Sequence, residues 1–240
     1  MNEKKINPHK DHRERLRQRF VREGMDNFPD HNKLELLLFY AIPRKDTNEL
    51  AHRLLEAFGS FAGVLDADYE ALCRVEGIGE NAATFLKLMP QVARAYLMDK
   101  ETRYPTFGDL HKMGSYLVNY FVGETNEKAV VIFLNNRVEM IDLLVLSEGI
   151  VNAAEIPVRK IAEAGLARKA SFFLLAHNHP DGTCLPSEED RALTAHISRL
   201  FRDLGMPLAE HLVIGGSSYY GILSGEKNGT FFGGLPGAKR

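Results

Sequence analysis

A short apolar run that leads into two histidines constrains the fold of this chain more than any other stretch. Residues 171–175 read Ser-Phe-Phe-Leu-Leu, which predicts a buried strand, and His177 and His179 come just after it. Because side chains two apart on a strand point to the same side, we expect both imidazoles to face one way. Pro180 cannot extend a central strand, and the Asp-Gly pair after it is a turn signal. The sequence therefore predicts a chain reversal immediately after the histidines.

A helix start lies downstream of this turn. Ser187 is a natural N-cap, and the acidic residues at 188–190 suit the positive end of a helix dipole. Asp190 occupies the third helical position, from which its carboxylate can point back toward His177 and His179. Two imidazoles and a carboxylate, with a fourth position left for water, form the pattern of a catalytic zinc site. A lone His-x-His is usually a surface feature. The prediction of a metal site therefore depends on the histidines together with Ser187 and Asp190.

Composition places the chain among ordinary globular proteins. It has 240 residues, 45% of them hydrophobic and 26% charged, which allows one large or two small domains. The net charge of −2 excludes a polycation, so any nucleic-acid contact must come from a local patch. Neither a membrane span nor a secretory signal is visible, and Cys73 and Cys184 match no disulfide framework. We expect a cytoplasmic protein.

Helical patterns fill the first part of the chain. A basic arm at 4–22 is interpreted as a solvated helix face in preference to a nucleic-acid contact. Further helices are predicted at residues 32–41, 48–58, 69–73 and 81–96. The turn Gly77-Ile78-Gly79 joins the last two, and its glycines permit a close backbone approach to the free N–H groups of a helix start, which suit phosphate. The alternative is a tight turn between two packed helices.

Strands and helices alternate in the remainder of the chain. The predicted strands are 129–134, 138–146, 171–176, 210–215 and 218–223, and the predicted helices are 106–121, 157–169 and 187–204. A polar segment at 99–105 contains a proline and is predicted to be a boundary. The predicted fold class is therefore α+β. It comprises an all-helical domain over residues 1–100, a mixed β-sheet with packed helices over 106–225, and a flexible tail over 226–240.

The spacing of the site residues resembles a known motif. His-x-His, seven residues, Ser, two residues and Asp match the JAMM (MPN-positive) metalloprotease motif at His177, His179, Ser187 and Asp190. Asn178 and Pro180 beside the histidines, and the pair Pro186-Ser187, make the chain similar to the RadC branch of that superfamily. The resemblance covers most of the chain. It implies a JAB/MPN domain with a cytidine-deaminase-like fold, preceded by a helix-hairpin-helix domain that contacts DNA.

The resemblance also implies a cofactor and catalytic residues. Zn²⁺ would be held by His177, His179 and Asp190. Glu127, at the start of the first core strand, would accept the proton of the attacking water, and Ser187 would stabilise the oxyanion. Four alternatives stay open at this point: Glu139 or Glu155 as the base, Cys184 as a fourth ligand, and His211 as either a support for the ligands or a structural residue.

These features favour a zinc-dependent hydrolase of an amide or isopeptide bond, acting on an unidentified protein or peptide. Duplex DNA is the second expected partner, through the turn Gly77-Ile78-Gly79. The alternative function is a DNA-binding, repair-associated protein whose metal domain is a phosphodiesterase or a non-catalytic scaffold. The sequence shows no second cluster of metal ligands, which phosphate chemistry often needs. An interaction module like the metal-free MPN domains ranks last, because those lack the histidines.

Overall fold

The computed structural model describes residues 8–43, 45–101, 105–148 and 157–227. The chain divides into two compact units, Met1–Val92 and Ala93–Arg240. The first unit is helical and the second contains a mixed sheet with packed helices, which confirms the predicted α+β class. Glu155 and the predicted tail from residue 228 onward lie outside the described residues, and the domain limits stay a prediction. No helix in the described ranges has the length and apolar character needed to cross a bilayer.

The helices of the first unit pack around one large and one smaller buried cluster. These helices are α1 (Pro8–Glu23), α2 (Asp30–Ala41), α3 (Asn48–Phe58), α4 (Phe61–Asp66), α5 (Tyr69–Cys73) and the start of α6 (Glu80–Lys100). Leu34, Leu54 and Leu86 are fully buried members of the large cluster. A smaller cluster that includes Leu16 and Phe39 joins α1 to α2. The amphipathic pattern read from the sequence therefore faces a core in the structure.

The basic residues of α1 take part in this packing. The guanidinium of Arg13 donates a hydrogen bond to the carbonyl of Ile42 at 2.6 Å and lies 4.6 Å from the ring centroid of Phe39. Arg19 lies 4.6 Å from the ring centroid of Phe28. Arginine side chains cover apolar surface while their charged heads stay near water or polar groups. The predicted solvated face is thus partly an internal contact surface.

The second unit is built on a five-stranded sheet with the order β2-β1-β3-β4-β5. After α6 its elements are α7 (Leu110–Tyr120), β1 (Lys128–Leu134), β2 (Met140–Glu148), α8 (Val158–Ala167), β3 (Phe172–Asn178), α9 (Glu188–Asp203), β4 (Leu208–Gly215) and β5 (Ser218–Gly221). The β3–β4 pair is parallel and the other neighbours are antiparallel. Every predicted strand is present, and α7 begins later than predicted because Asp109 caps it.

Both faces of the sheet are covered. On one face Leu174 of β3 belongs to the cluster that contains Leu117 of α7. On the other face Leu175 belongs to the cluster that contains Ile161 of α8 and Ile197 of α9. Because side chains alternate along a strand, the next residue of β3 to face α8 and α9 is a histidine. The sheet thus delivers that side chain to the space beside the start of α9.

Candidate metal centre

The end of β3 and the start of α9 meet at one place. Potential ligand atoms of His177, His179 and Asp190 all lie within 4.8 Å of one another. The two histidine Nε2 atoms are 3.1 Å apart, and Nε2 of His177 lies 3.3 Å from Oδ1 of Asp190. Nε2 of His179 lies 3.8 Å from Oδ2 of the same carboxylate. The structure therefore brings the three predicted ligands together.

The spacing of these atoms suits a small divalent cation. Zinc binds imidazole nitrogen and carboxylate oxygen at about 2.0–2.2 Å, so neighbouring ligand atoms of a tetrahedral site lie about 3.4 Å apart. The separations of 3.1, 3.3 and 3.8 Å bracket that value. The side chains of His179 and Asp190 stay about 15% exposed, which leaves solvent access on that side. The donor set and its geometry fit a metal site.

A capping box fixes the carboxylate of Asp190. The hydroxyl of Ser187 accepts the N–H of Asp190 at 3.1 Å and donates to Oδ2 at 2.7 Å. The N–H of Ser187 donates to the same oxygen at 2.8 Å. This reciprocal pattern satisfies backbone groups that a helix start leaves open. The predicted N-cap and the predicted direction of the carboxylate are both confirmed.

The electrostatics of Asp190 favour its charged form. Partial burial by itself raises the pKa of this carboxyl group. The hydrogen bond and charge of His177, with the two hydrogen bonds from Ser187, outweigh burial and hold the pKa well below its ordinary value. A carboxylate that stays ionised is a competent oxygen ligand for a cation.

His211 lies directly behind one of the predicted ligands. Its Nε2 is 3.0 Å from Nδ1 of His177, and its Nδ1 is 2.6 Å from Oγ1 of Thr194. The Thr194 hydroxyl also donates to the backbone carbonyl of Asp190 at 2.6 Å. His211 has no exposed surface, and burial together with the nearby His177 charge lowers its pKa well below the usual value. The structure thus places His211 in contact with the candidate centre.

Sequence reasoning did not single out Thr194. It stands four residues after Asp190 on α9, so both side chains lie on neighbouring turns of one helical face. That spacing was the available signal. The spacing between Asp190 and Thr194 becomes informative only once the strand that carries His211 is placed beside α9.

Glu127 precedes β1 on the side of the histidines. Ala129 pairs with His177 at the end of the β1–β3 ladder, and the antiparallel register continued by two residues would set Glu127 opposite His179. The side chain of Asn178 holds this segment. Its Oδ1 accepts the N–H of Lys128 at 2.8 Å, and its Nδ2 donates to the carbonyl of residue 126 at 3.0 Å. Both peptide neighbours of Glu127 are therefore tied to the residue between the two histidines.

The rival candidates are placed differently. Glu139 accepts a hydrogen bond from Asn135 at 2.7 Å in the turn at the opposite end of β1. At about 3.3 Å per residue, that turn is about 23 Å along the strand from Glu127. Cys184 is buried and, within the described residues, is not among the clustered ligand atoms. Neither side chain joins the candidate centre.

A second candidate site lies in the helical unit. Gly77 has a φ of 95°, and α6 begins just after Gly79, so the predicted turn between two helices is present. A cleft of about 480 Å³ opens beside it, with Lys45 and Asn81 in its lining. A β-carbon built at Gly79 would meet nothing within 4 Å, so this part of the turn is open.

Comparisons with known proteins follow the same division of the chain. The family model for a RadC-like JAB domain matches residues 107–228, and the model for a UPF0758 N-terminal domain matches residues 9–84. A UPF0758 protein of Fusobacterium nucleatum is 36% identical over 221 residues, which are 88% of this chain and 94% of that protein. UPF0758 proteins of Ruegeria pomeroyi and Rhodobacter capsulatus are each 35% identical, over 87% and 83% of this chain and 93% and 94% of theirs.

Proposed function

Because this chain belongs to the family of proteins with a RadC-like JAB domain, we propose that it is a zinc-dependent hydrolase of an amide or isopeptide bond. The observation that carries the proposal is the convergence of His177, His179 and Asp190 within 4.8 Å. These three side chains would hold the ion. When bound, zinc supplies Lewis acidity that lowers the pKa of a water molecule toward about 7.

Glu127 is the proposed general base. Its carboxylate accepts the proton released as water attacks the carbonyl carbon, and it returns that proton to the leaving amine as the C–N bond breaks. The pairing register toward His179 and the clamp by Asn178 support this assignment. The protein's contribution is to keep the carboxylate beside the attacking water while both steps occur.

Ser187 is the proposed donor to the oxyanion. Its hydroxyl sits at the exposed start of α9, where the helix dipole favours negative charge. Donation to the developing oxygen would take the place of its present hydrogen bond to Asp190. Loss of one such donor typically lowers the rate by about 10²–10³.

An amide or isopeptide bond is favoured over a phosphodiester. Two-metal sites are common in phosphoryl hydrolysis and need a second group of ligands. Among the residues that the structure describes, one group of at least three clustered metal-binding side chains is found, at His177, His179 and Asp190. The substrate is proposed to be a protein or peptide.

The test separates metal binding from turnover. His177→Ala and Asp190→Ala should each lose stoichiometric zinc, measured by elemental analysis of the purified protein. Glu127→Gln should keep zinc and lose at least about 10² in turnover on a panel of peptide and isopeptide substrates, since a base contributes about 10²–10⁴. Glu139→Gln, at the far end of the same strand pair, is the matched control and should keep both. Full activity of Glu127→Gln, or normal zinc in His177→Ala, would overturn the proposal.

We further propose that the helical unit contacts the backbone of duplex DNA. The open turn at Gly79 and the adjoining cleft with Lys45 support it, because a helix start preceded by glycine suits phosphate. Gly79→Glu would place a carboxylate in the path of a phosphate, and its β-carbon would meet nothing within 4 Å. Gly108→Glu is the matched control, since a β-carbon there also meets nothing within 4 Å.

Binding of labelled duplex DNA should weaken in Gly79→Glu and not in Gly108→Glu. It should also fall steeply with rising salt, as backbone contacts require. Equal affinity of the two variants, or no measurable affinity of the unmodified protein at low salt, would refute DNA contact through this turn.

A further inference from the structure

Four polar groups form a continuous chain of hydrogen bonds behind the candidate centre. The backbone carbonyl of Asp190 lies 2.6 Å from Oγ1 of Thr194, and the same oxygen lies 2.6 Å from Nδ1 of His211. Nε2 of His211 lies 3.0 Å from Nδ1 of His177. Thr194 and His211 are buried at 2% and 0% exposure, so water does not substitute for these partners. The chain links α9, β4 and β3.

The direction of every hydrogen bond in this chain is fixed by its first member. A carbonyl oxygen only accepts, so the single hydrogen of the Thr194 hydroxyl is committed to Asp190. Oγ1 can then only accept from His211, which places a hydrogen on Nδ1 of that ring. A neutral imidazole carries one hydrogen, and full burial strongly disfavours a second, so Nε2 of His211 is an acceptor. The hydrogen in the last bond therefore belongs to Nδ1 of His177.

We propose that Thr194 and His211 are positioning residues that hold a hydrogen on Nδ1 of His177 and so reserve its Nε2 lone pair for the metal. This inference rests on the proposed zinc site. Metal-ligating histidines generally donate their other ring N–H to a partner that fixes the tautomer and the ring orientation. Here the partner of His177 is His211. The tautomer of His211 is set by the Thr194 hydroxyl, which is hydrogen-bonded to the backbone carbonyl of Asp190, another proposed ligand.

The reverse arrangement shows what the chain prevents. If His211 donated from Nε2, then Nδ1 of His177 would have to accept, and a neutral His177 would carry its hydrogen on Nε2. That hydrogen would point at His179 and Asp190 and would have to leave before a metal could bind. A hydrophobic residue at 211 would leave both tautomers of His177 open. Removal of the chain should thus weaken metal binding without removing any ligand.

Paired variants test the proposal through zinc affinity. Thr194→Val removes the hydroxyl at nearly the same volume, whereas Thr194→Ser keeps it. His211→Leu removes the acceptor, whereas His211→Gln can still present an oxygen to His177. Zinc dissociation constants, measured by competition with a chromophoric chelator, should rise about 10–100-fold in Thr194→Val and His211→Leu, the usual cost of losing such a partner. Thr194→Ser should stay near the unmodified protein, and His211→Gln should recover part of the loss.

A second readout and a control make the result independent of turnover and of stability. Nitrogen-15 NMR of the imidazole rings should show a hydrogen on Nδ1 of His177 in both the metal-free and the zinc-loaded protein. Leu212→Ala, next to His211 on the opposite sheet face, should lower stability and leave zinc affinity unchanged. An unprotonated Nδ1 of His177, or wild-type zinc affinity in His211→Leu, overturns the inference. Zinc binding that follows these expectations in a protein without hydrolytic activity would overturn only the proposed function.

Discussion

Several side chains around the candidate centre are polar, buried and hydrogen-bonded. A buried polar group without a partner costs stability, so such residues show where the fold has a specific requirement. Asn178 is only 4% exposed, and the oxygen and the nitrogen of its side-chain amide both form hydrogen bonds to the backbone of the segment that contains Glu127. Its role is therefore geometric, because it fixes the distance between the start of β1 and the end of β3.

Asn178→Ala should release that segment without disturbing the proposed ligands. We expect zinc stoichiometry to stay normal and turnover to fall about 10²-fold, since a misplacement of about 1 Å can cost that much. Amide hydrogen exchange at Lys128 should become faster, because its N–H loses its acceptor. Asn136→Ala in the exposed turn is the control. Unchanged exchange at Lys128 would contradict the clamp.

Tyr116 of α7 provides a prediction for alkaline pH. Burial, followed by the nearby Tyr120 and Glu101, raises its pKa to about 12. Because the folded-state pKa lies above the ordinary value near 10, the folded state favours the neutral phenol. The stability it contributes is complete below about pH 10 and is lost as pH rises through about 12.

Denaturant unfolding at stepped pH values measures this effect. Between about pH 10 and 12, the unmodified protein should lose more free energy of unfolding than Tyr116→Phe does. Tyr96→Phe, which changes an exposed tyrosine, should behave like the unmodified protein. If the free energy of unfolding fell equally with pH in Tyr116→Phe and in the unmodified protein, the pKa of Tyr116 would not be raised by folding.

Sequence reasoning reached the proposed ligands, left the role of His211 open and missed Thr194, for a physical reason. His177, His179 and Asp190 lie within one strand–turn–helix segment, where local periodicity fixes which way each side chain points. His211 joins them through the parallel pairing of β3 with β4, in which Leu175 pairs with it across the sheet. No local pattern encodes a pairing between strands that are separated by a helix.

Among the elements, β4 and the loop before α9 approach each other unusually closely. A β-carbon built at Gly215 would lie 2.3 Å from the carbonyl carbon of Thr183 and 2.5 Å from the nitrogen of Cys184. The N–H of His179 also donates to the carbonyl of Ile214 at 2.7 Å. The absence of a side chain at Gly215 therefore lets the loop that leads to Ser187 lie against the sheet.

Gly215→Ala should push this loop away from β4. Backbone atoms cannot yield as a flexible side chain would, so we expect a loss of about 1–3 kcal/mol in the free energy of unfolding. Zinc affinity should fall as well, because Asp190 follows the loop. Gly108→Ala, where the new methyl group meets nothing within 4 Å, is the control. Wild-type zinc affinity in Gly215→Ala would show that the position of this loop does not affect zinc binding.

Most elements were predictable because their patterns are long or strongly apolar. Strands β1 and β3 are near-continuous hydrophobic runs, and α3 was predicted with its observed limits, Asn48–Phe58. Helix α4 was not predicted, because its six residues are too few to show a period and include a glycine. Ser60 at its N-cap, which accepts the N–H of Gly63, was the available signal.

At the scale of the whole molecule, each compact unit contains its own buried clusters. Leu54 lies in the cluster of the helical unit, and Ile197 lies in the cluster beneath α9. Both side chains are fully buried. The contrast between an all-helical part and a sheet-containing part was predictable, since the period of the apolar residues changes along the chain.

Matched cavity variants can test whether the units respond separately. Leu54→Ala and Ile197→Ala should each cost about 2–5 kcal/mol in the unit that carries them. Only Ile197→Ala should weaken zinc binding, because α9 carries Asp190. Site-resolved hydrogen exchange reports the stability of each unit, and a chelator competition reports zinc. An equal loss of zinc affinity in Leu54→Ala would indicate that the two units are coupled.

The sheet order also has a consequence for the nascent chain on the ribosome. β3 is flanked by β1, which is synthesised earlier, and by β4, which is synthesised later. Until β4 emerges, the apolar strand Phe172–Asn178 has one open edge that can pair with another polypeptide. At roughly 5–20 residues per second, that interval lasts a few seconds. The nascent chain thus carries an open edge of the sheet just after both histidines of the centre have been made.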